Sequence, residues 1–323
     1  MVNHKCSIIA DPDSPGWEFA EKIYHELRMK SDLFELNKIN IKRFRDNEIK
    51  PKIELNVRER YCFFIHNSNS KPSDWFLELA LINQALVNSS AYKVINVLPY
   101  LKFSRQDRKD ESRVPISAKA IADVISLYAN RVLTLDVHNL AIQGFYDTKV
   151  IFDSLYSFPT VINYLKKHHP EIINNLVIMS TDAGGAQRAK MFAKCLGIKD
   201  IAVGYKTREK TGEVEDLKIL GDVKDKDVLI IDDIVDSGGT LIKAAEALRK
   251  EGANKVYVYA THGIFTKGYK EVTDCFDKLF IGDTIKQPED INAEIISFIP
   301  LFAEAIYRIS EGESLSELFK DGY

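Results

Sequence analysis

Cysteine is scarce in this sequence, and the few cysteines are scattered. Only four occur among 323 residues, and no two have the C-x-x-C spacing of zinc or dithiol sites. We therefore expect neither a disulfide framework nor a zinc site, and free thiols suit a reducing compartment. No apolar run reaches membrane-spanning length, and no signal-peptide pattern opens the chain. These absences predict a cytoplasmic protein.

An excess of charge of either sign is also lacking. The 44 Lys and Arg against 47 Asp and Glu leave a formal net charge of -3, so no overall field favours nucleic acid or a membrane surface as partner. The P-loop pattern G-x-x-x-x-G-K-[ST] and the pattern G-x-G-x-x-G are both missing, which excludes the two commonest nucleotide-binding fingerprints. The length, with 45% apolar residues, suffices for two domains with separate cores.

The most informative stretch is a strand, loop and helix pattern that begins at Val228. Val228 to Ile231 is an uninterrupted β-branched and leucine run, typical of a strand buried on both faces of a parallel sheet. Apolar residues then repeat at helical spacing, namely Leu241, Ala244, Ala245 and Leu248. Gly252 predicts the end of that helix.

The loop between this strand and helix has the composition of an anion site. Gly238 and Gly239 allow a ligand to approach the backbone closely, and the free N–H groups at the start of the helix attract phosphate. Ser237 and Thr240 can donate hydrogen bonds to phosphate oxygens. An ordinary capped turn between strand and helix is the alternative interpretation.

Three carboxylates beside the glycines argue against an ordinary turn. The three are Asp232, Asp233 and Asp236. Asp232 and Asp233 cannot favour phosphate at the same point, so they suit sugar hydroxyls or a metal bound to the phosphate. Together with the glycines they predict a pocket for a phosphorylated sugar. The stretch resembles the phosphoribosyl-pyrophosphate (PRPP) loop shared by type I phosphoribosyltransferases and ribose-phosphate pyrophosphokinases, and does not by itself choose between them.

The order strand, polar loop, helix, strand occurs in both halves of the chain. In the first half the strands cover residues 61–66 and 93–98, with a helix over 74–87 between them, but the loop after His66 lacks the acidic pair and the paired glycines. We predict two similar α/β domains, each with a mainly parallel sheet flanked by helices. They cover 1–157 and 158–323, and the last helix is a candidate to pack back on the first domain. Only the second is expected to retain the sugar-phosphate chemistry.

Several charged residues elsewhere are candidates for binding a polyphosphate and its metal. The cationic segment 100–113 and the loop from Lys206 could supply positive charge, although such segments are more often only solvated. His138 ends one strand, where a structural role is the alternative, and Asp182 follows another strand end, where ligands collect in open α/β sheets.

Taken together, these segments resemble the ribose-phosphate pyrophosphokinase (PRPP synthetase) family along nearly the whole chain. The matching segments occur in family order: Phe44 to Glu48, Arg105 to Lys109, Pro115 to Lys119, Asp136 to His138, Asp182 to Gly185 with Arg188, Lys206 to Arg208, Val228 to Thr240, and Thr261 to Gly263. Single-domain phosphoribosyltransferases share only the loop around Asp232.

The resemblance implies two type I phosphoribosyltransferase-like domains and a defined reaction. The diphosphoryl group of ATP is transferred, with Mg²⁺, to the 1-hydroxyl of ribose 5-phosphate, giving PRPP and AMP for nucleotide biosynthesis. It also implies a cytoplasmic homo-oligomer built from dimers, a hexamer in the family pattern, with no nucleic acid or membrane partner.

Matching positions assign the site residues. The residues expected to bind ATP are Phe44, Asp46, Asn47, Glu48, Arg105, Gln106 and Asp107. Those expected to bind ribose 5-phosphate are Arg208, Asp232, Asp233, Asp236, Ser237, Gly238, Gly239 and Thr240. Magnesium is expected at His138 and Asp182, and catalysis at Lys206 and Arg208. Asn47 stands where the family usually has Gly, and no general base is evident.

Three other functions compete with this assignment. A catalytically silent regulatory subunit is disfavoured by the retained Lys206, Arg208, His138 and Asp182. A phosphoribosyltransferase that consumes PRPP is disfavoured by the ATP-type motifs of the first half. A sugar-phosphate sensor would not need a cationic catalytic loop.

Overall fold

The chain forms two compact units, each with its own seven-stranded sheet. The computed structural model describes residues 4–66, 69–207 and 216–322. The first unit comprises Met1–Leu155, Thr284–Lys286 and Ile299–Leu318. The second comprises Tyr156–Asp283, Gln287–Phe298 and Phe319–Tyr323.

The first sheet has the strand order β3-β2-β1-β4-β5-β6-β7. Its strands are β1 (Cys6–Ala10), β2 (Phe34–Arg43), β3 (Ile49–Ile53), β4 (Tyr61–Ile65), β5 (Lys93–Leu98), β6 (Arg131–Leu135) and β7 (Ile151–Leu155). All neighbours are parallel except β2 and β3, which form an antiparallel hairpin.

The second sheet repeats this order as β10-β9-β8-β11-β12-β13-β14. Its strands are β8 (Leu176–Ser180), β9 (Ile201–Thr207), β10 (Asp216–Leu220), β11 (Asp227–Val235), β12 (Val256–Gly263), β13 (Lys278–Gly282) and β14 (Glu294–Ile296). Again only one pair, β9 and β10, is antiparallel. The predicted fold class, two mainly parallel α/β sheets, is confirmed.

Helices cover the sheets. The first unit contains α1 (Trp17–Lys30), α2 (Pro72–Asn88), α3 (Ser117–Tyr128) and α9 (Ile299–Glu311). The second contains α4 (Phe158–His168), α5 (Pro170–Ile173), α6 (Ala186–Leu196), α7 (Gly239–Lys250) and α8 (Lys270–Asp274). The final long helix, α9, packs against α1, where Phe302 meets Phe19 edge to face.

Burial explains why the continuous apolar runs became central strands. Val228 to Ile231 are buried, and the residues of β8 and β12 are buried throughout, as expected for parallel strands with helices on both faces. The helix after the glycine loop buries the four apolar residues of its predicted stripe. Gly197 and Gly252 follow their helices with φ of 74° and 83°, a left-handed conformation that glycine adopts without strain. Within the described residues, no helix has the length and apolarity needed to cross a membrane.

Four strands carry too little pattern to be predicted, and one of them is the three-residue strand β14. The aperiodic segment 148–158 contains β7, an edge strand with one fully buried residue, so its side chains show no alternation. The polar break at 44–48 is the turn between β2 and β3, and β10 pairs with β9 in the same way. These strands lie at sheet edges, where only one side of the backbone needs a partner.

Candidate active site

The second sheet changes direction between β8 and β11. From β8 the chain continues through α6 to β9 on one side, and from β11 it continues through α7 to β12 on the other. Because β8 and β11 are parallel neighbours, their carboxyl ends leave a crevice at this switch point, where open α/β sheets bind ligands. The predicted acidic residues and both glycine loops stand at this edge.

Asp232 and Asp233 are each held by a residue that follows β8. Thr181 Oγ1 donates a hydrogen bond of 3.0 Å to Asp232 Oδ2, and the backbone N–H of Asp233 donates to Asp232 Oδ1 at 2.9 Å. The Arg188 guanidinium lies 3.1 Å from Asp233 Oδ1. Successive strand residues face opposite sides, so the two acids are held from different sides of β11.

This arrangement changes the proton affinity of the pair. Burial raises the pKa of Asp232, the neighbouring Asp233 raises it further, and Arg188 and the Thr181 hydroxyl oppose the rise. Asp233 is also buried, and the positive charge of the Arg188 guanidinium beside it compensates the negative charge of its carboxylate. A carboxyl that holds a proton can donate as well as accept hydrogen bonds, which suits a partner that is a sugar hydroxyl.

The glycine loop gives α7 an open amino end. Gly238 has φ of 77°, and a Cβ there would lie 2.1 Å from Val272 Cγ2. Both the backbone conformation and the packing against Val272 therefore require glycine at this position, whether or not a ligand binds. A Cβ on the exposed Gly239 would meet only Ser237 Oγ, at 4.0 Å. Within the described residues no side chain caps the helix. Its first N–H groups are therefore available to an anion.

The remaining residues of the loop surround that amino end. Ser237 is exposed and Thr240 is half-buried, so both hydroxyls lie near the surface. Asp236 accepts a hydrogen bond of 2.5 Å from Thr266 Oγ1, which fixes the carboxylate next to the glycines. The loop thus combines hydroxyl donors, backbone donors and a fixed acid.

Asp182 occupies the turn after β8 as an exposed carboxylate. Its Oδ1 accepts a hydrogen bond of 2.9 Å from the Gly185 N–H, and its carbonyl accepts one of 2.7 Å from Ser180 Oγ. An oriented, exposed carboxylate oxygen fits Mg²⁺, which usually retains water and binds one or two carboxylates together with substrate phosphates. Within the described chain no three His, Cys, Asp or Glu side chains form a protein-only cage.

The two predicted catalytic residues are only partly covered by the structure. The backbone of Lys206 belongs to β9, near its carboxyl end and therefore at the same sheet edge as the switch point. Arg208 lies outside the described residues. Their catalytic role stays a prediction.

In the first unit, the predicted ATP-binding residues 44–48 form the turn between β2 and β3. The N–H of Phe44 donates to the Glu48 carbonyl at 2.8 Å, and the N–H of Glu48 donates to Asp46 Oδ1 at 3.1 Å. Asn47 has φ of 71°, and asparagine is among the residues that tolerate this conformation. That tolerance explains how Asn replaces the usual Gly. The Phe44 side chain is 54% exposed, so a planar base could stack on it.

The second segment predicted to bind ATP, residues 105–107, is anchored to neighbouring elements. Ser117 Oγ, at the start of α3, donates to Gln106 Oε1 at 2.5 Å, and Asn139 Nδ2 donates to Asp107 Oδ2 at 2.5 Å. Arg105 is exposed. His138 is also exposed, and it directly precedes Asn139, the residue that holds this segment through Asp107.

Known proteins and family models match this chain over most of its length. Residues 14–128 match a family model described as the N-terminal domain of ribose phosphate pyrophosphokinase, and residues 205–320 match the phosphoribosyl synthetase-associated domain. A ribose-phosphate pyrophosphokinase from Campylobacter jejuni is 40% identical over 95% of this chain and 97% of that protein. The Haemophilus influenzae protein of the same name is 37% identical over 94% and 96%.

The chain belongs to the ribose-phosphate pyrophosphokinase family. The phosphoribosylpyrophosphate synthetase from Mycobacterium smegmatis has a similar crystal structure, with a TM-score of 0.85 at 27% identity, covering 95% of this chain and all of that one. The resemblance inferred from the motifs is therefore confirmed for family and fold.

Two residues of this family member had no role assigned from the motifs. Thr181 and Arg188 orient the acid pair, yet they stand 51 and 45 positions before their partners Asp232 and Asp233. The signal available was the position of both residues directly after a buried strand that ends in a glycine loop. Only the register of β8 against β11 shows which acid each one meets.

Proposed function

We propose that this chain, as a ribose-phosphate pyrophosphokinase, transfers the β,γ-diphosphoryl group of Mg-ATP to the 1-hydroxyl of ribose 5-phosphate, giving PRPP and AMP. The observation that carries the proposal is the switch point of the second sheet. There the acid pair of half-buried Asp232 and buried Asp233 adjoins an uncapped, glycine-started helix, in a chain that belongs to this family over nearly its full length.

The pentose phosphate is proposed to bind at the second unit. The 5-phosphate accepts hydrogen bonds from the first N–H groups of α7 and from Ser237 and Thr240, while the helix dipole favours its negative charge. Asp232 and Asp233 bind ribose hydroxyls. Arg188 and Thr181 hold the two acids in place, so that the sugar binds in one orientation.

ATP is proposed to bind at the first unit. The β2–β3 turn and residues 105–107 would contact the nucleotide, with Phe44 offering a face for the base and Arg105 a charge for the phosphates. His138 of the first unit and Asp182 of the second are each proposed as a ligand of Mg²⁺, which when bound would neutralise charge on the transferring phosphates. A magnesium requirement, homo-oligomeric assembly and a cytoplasmic location are parts of this proposal that follow from family membership.

Diphosphoryl transfer depends on placement and charge more than on covalent chemistry. Lys206 and Arg208 are proposed to neutralise the charge that develops on the transferred group, and the sugar hydroxyl attacks in line with the leaving AMP.

The test is product identification. Purified protein is incubated with ATP, MgCl₂ and ribose 5-phosphate, and nucleotides are separated by ion-exchange chromatography while ³¹P NMR follows the sugar. The expected products are AMP and PRPP in equal amounts, with neither formed when ribose 5-phosphate is left out or EDTA is added. ADP as the main product, or loss of added PRPP in the presence of a nucleobase without ATP, would contradict the proposal.

A further inference from the structure

The first sheet carries a different set of groups at the position that the acid pair occupies in the second. Ile9 pairs with Phe64 in the first sheet, and Ser180 pairs with Ile231 in the second. When the last residues of β1 and β8, Ala10 and Ser180, are equated, His66 falls on the position of Asp232. The helix that follows, α2, starts with Pro72 where α7 starts with Gly239.

His66 is the centre of a buried polar cluster. Its Nε2–H donates a hydrogen bond of 2.8 Å to the Trp75 carbonyl, and its ring stacks on the Trp75 ring with centroids 5.3 Å apart and planes 12° apart. Glu78, one turn further along α2, places Oε2 4.0 Å from His66 Nε2. His66 and Trp75 are buried, and the Glu78 side chain is 13% exposed.

The surroundings favour uncharged forms of both His66 and Glu78. Burial lowers the pKa of His66 to about 4, with a further contribution from Lys102. Burial raises the pKa of Glu78 to about 7, and Asp11 and Asp74 add to the rise while Arg43 opposes it. The contact between His66 and Glu78 is therefore one between neutral groups in the pH range between these two values.

Neighbours of the cluster connect it to the two segments predicted to bind ATP. Arg43 pairs with Asp74 on α2 at 3.5 Å and donates to the Asn47 carbonyl at 3.4 Å, which ties the β2–β3 turn to the start of the helix. On the other side, the Phe103 ring lies 6.3 Å from the Trp75 ring, two residues before Arg105. Lys102, whose pKa burial lowers to about 8, precedes Phe103.

We propose that Glu78, together with His66 and Trp75, positions the two ATP-binding segments of the first unit, and that it does so only in its uncharged form. This inference rests on the proposed ATP-binding role of residues 44–48 and 105–107. Nothing in the proposed chemistry uses these three residues, and Glu78 acts through Arg43 rather than on ATP.

Charge competition supplies the mechanism. Five charged or titratable groups face Glu78 or its partner His66, from five elements of the first unit: Asp11 after β1, Arg43 on β2, His66 after β4, Asp74 on α2 and Lys102 after β5. An ionised Glu78 attracts Arg43 and repels Asp74, so Arg43 leaves the Asn47 carbonyl and the turn loses a hydrogen bond. An uncharged Glu78 leaves Arg43 on Asp74.

The test compares ligand affinity across pH in Glu78→Gln, which keeps the shape of the neutral acid. Calorimetry measures the Kd of magnesium-bound α,β-methylene-ATP, which cannot be cleaved at the reacting bond, and of ribose 5-phosphate, from pH 6 to 8.5. The ratio of wild-type to variant Kd for the ATP analogue should rise from about 1 at pH 6 to about 3- to 10-fold at pH 8.5, the effect of one hydrogen bond. The ratio for ribose 5-phosphate should stay at 1 throughout. Glu54→Gln, an exposed site in the same unit, should follow the wild type.

Two results would overturn the inference: a Glu78→Gln protein with wild-type pH dependence, or one that binds the analogue more weakly than wild type at pH 6. Should Glu78→Gln not fold, Asp74→Asn decides the question. It releases Arg43 at every pH, so its Kd for the analogue should be raised several-fold already at pH 6 and change less with pH. Wild-type pH dependence in that variant would refute the proposal. Failure of the proposed reaction is a separate outcome, visible as absence of AMP from the wild-type protein.

Discussion

In the second sheet the central strand β11 carries Asp232 and leads to a glycine loop, whereas in the first sheet His66 stands at the same register, just after β4, and a loop leads from it to Pro72. Both sheets have the same strand order and the same single antiparallel hairpin. A mainly parallel sheet thus specifies where a ligand can bind, at the switch point, without specifying which ligand.

The two switch points differ in how the following helix starts. Gly238 and Gly239 open α7 with free N–H groups. In α2, Pro72 has no N–H to offer, and the fully buried Trp75 ring fills the interior beneath the first turn. The first unit thus has an aromatic and hydrogen-bonded core where the second has a glycine loop, and its proposed ATP contacts come from the loops around that core.

The largest expected effect concerns the cation near the end of β9. Lys206→Ala should lower kcat by roughly 30- to 1000-fold, about 2 to 4 kcal/mol, because one electrostatic donor to the transferring phosphates is lost. Initial rates of AMP formation measure this. The control is Lys42→Ala, an exposed lysine near the corresponding end of β2, which should keep wild-type kcat. A Lys206→Ala enzyme with near-normal turnover would remove the residue from the mechanism.

The next prediction separates the two glycines of the second switch point. Gly238→Ala should reduce the free energy of unfolding by about 2 to 4 kcal/mol, since its φ of 77° strains any other residue and its Cβ would overlap Val272. The methyl group of Gly239→Ala would contact only Ser237 Oγ, at 4.0 Å, so the free energy of unfolding should change by less than about 0.5 kcal/mol. Urea unfolding measures both variants.

Binding of ribose 5-phosphate should be sensitive to Gly239, the glycine whose substitution leaves the stability nearly unchanged. Gly239→Ala should fold normally but bind ribose 5-phosphate more weakly, because its methyl group enters the space beside the helix start. For the stability prediction, equal free energies of unfolding of Gly238→Ala and wild type would mean that the turn can rearrange. The inference that its backbone conformation and the contact with Val272 require glycine at this position would then be wrong.

A smaller effect is expected from the acid itself. Asp232→Asn should weaken ribose 5-phosphate binding by about 10- to 100-fold, because the amide nitrogen cannot accept one of the two hydrogen bonds, from Thr181 Oγ1 and the Asp233 N–H, that orient this side chain, while ATP affinity is retained. Calorimetry with each ligand tests this, with the exposed Asp200→Asn of the same unit as the control. Equal losses for both ligands would mean that the two units do not divide the substrates.

The smallest effects concern the stability of the first switch point as a function of pH. The pKa of Glu78 is about 7 in the folded chain against an ordinary 4.5, so the folded state holds more protons between these values and loses stability as pH rises through them. Glu78→Gln removes that loss. Relative to wild type, its free energy of unfolding should increase by about 1 to 2 kcal/mol between pH 4.5 and 8, after allowance for the partial exposure of the group.

His66 should show the opposite trend. Its pKa is about 4 against an ordinary 6.5, so the unfolded chain holds more protons and the wild type loses stability as pH falls from 6.5 to 4. His66→Gln should therefore gain on the wild type as the pH falls through this range. Urea unfolding at each pH measures both variants, and parallel curves for wild type and variants would show that the groups are not perturbed by folding.

Much of the architecture was predictable because its signals are local. The buried run at Val228 to Ile231, the helical stripe behind it and the glycines at helix ends depend on residues close together in the chain. The order of the motifs was enough to predict the family. The edge strands β3, β7, β10 and β14 were missed, since a strand that is paired on one side and exposed on the other needs no regular apolar pattern.

Sequence alone therefore determined the class of fold, the glycine loop and the acids beside it, because hydrophobic periodicity and backbone freedom are properties of short segments. Tertiary structure decided which groups meet: Thr181 with Asp232, Arg188 with Asp233, and His66 with Trp75 and Glu78. Contacts between residues about 50 positions apart depend on strand register, and the proton affinities of these groups depend on burial. Neither quantity exists until the sheet has formed.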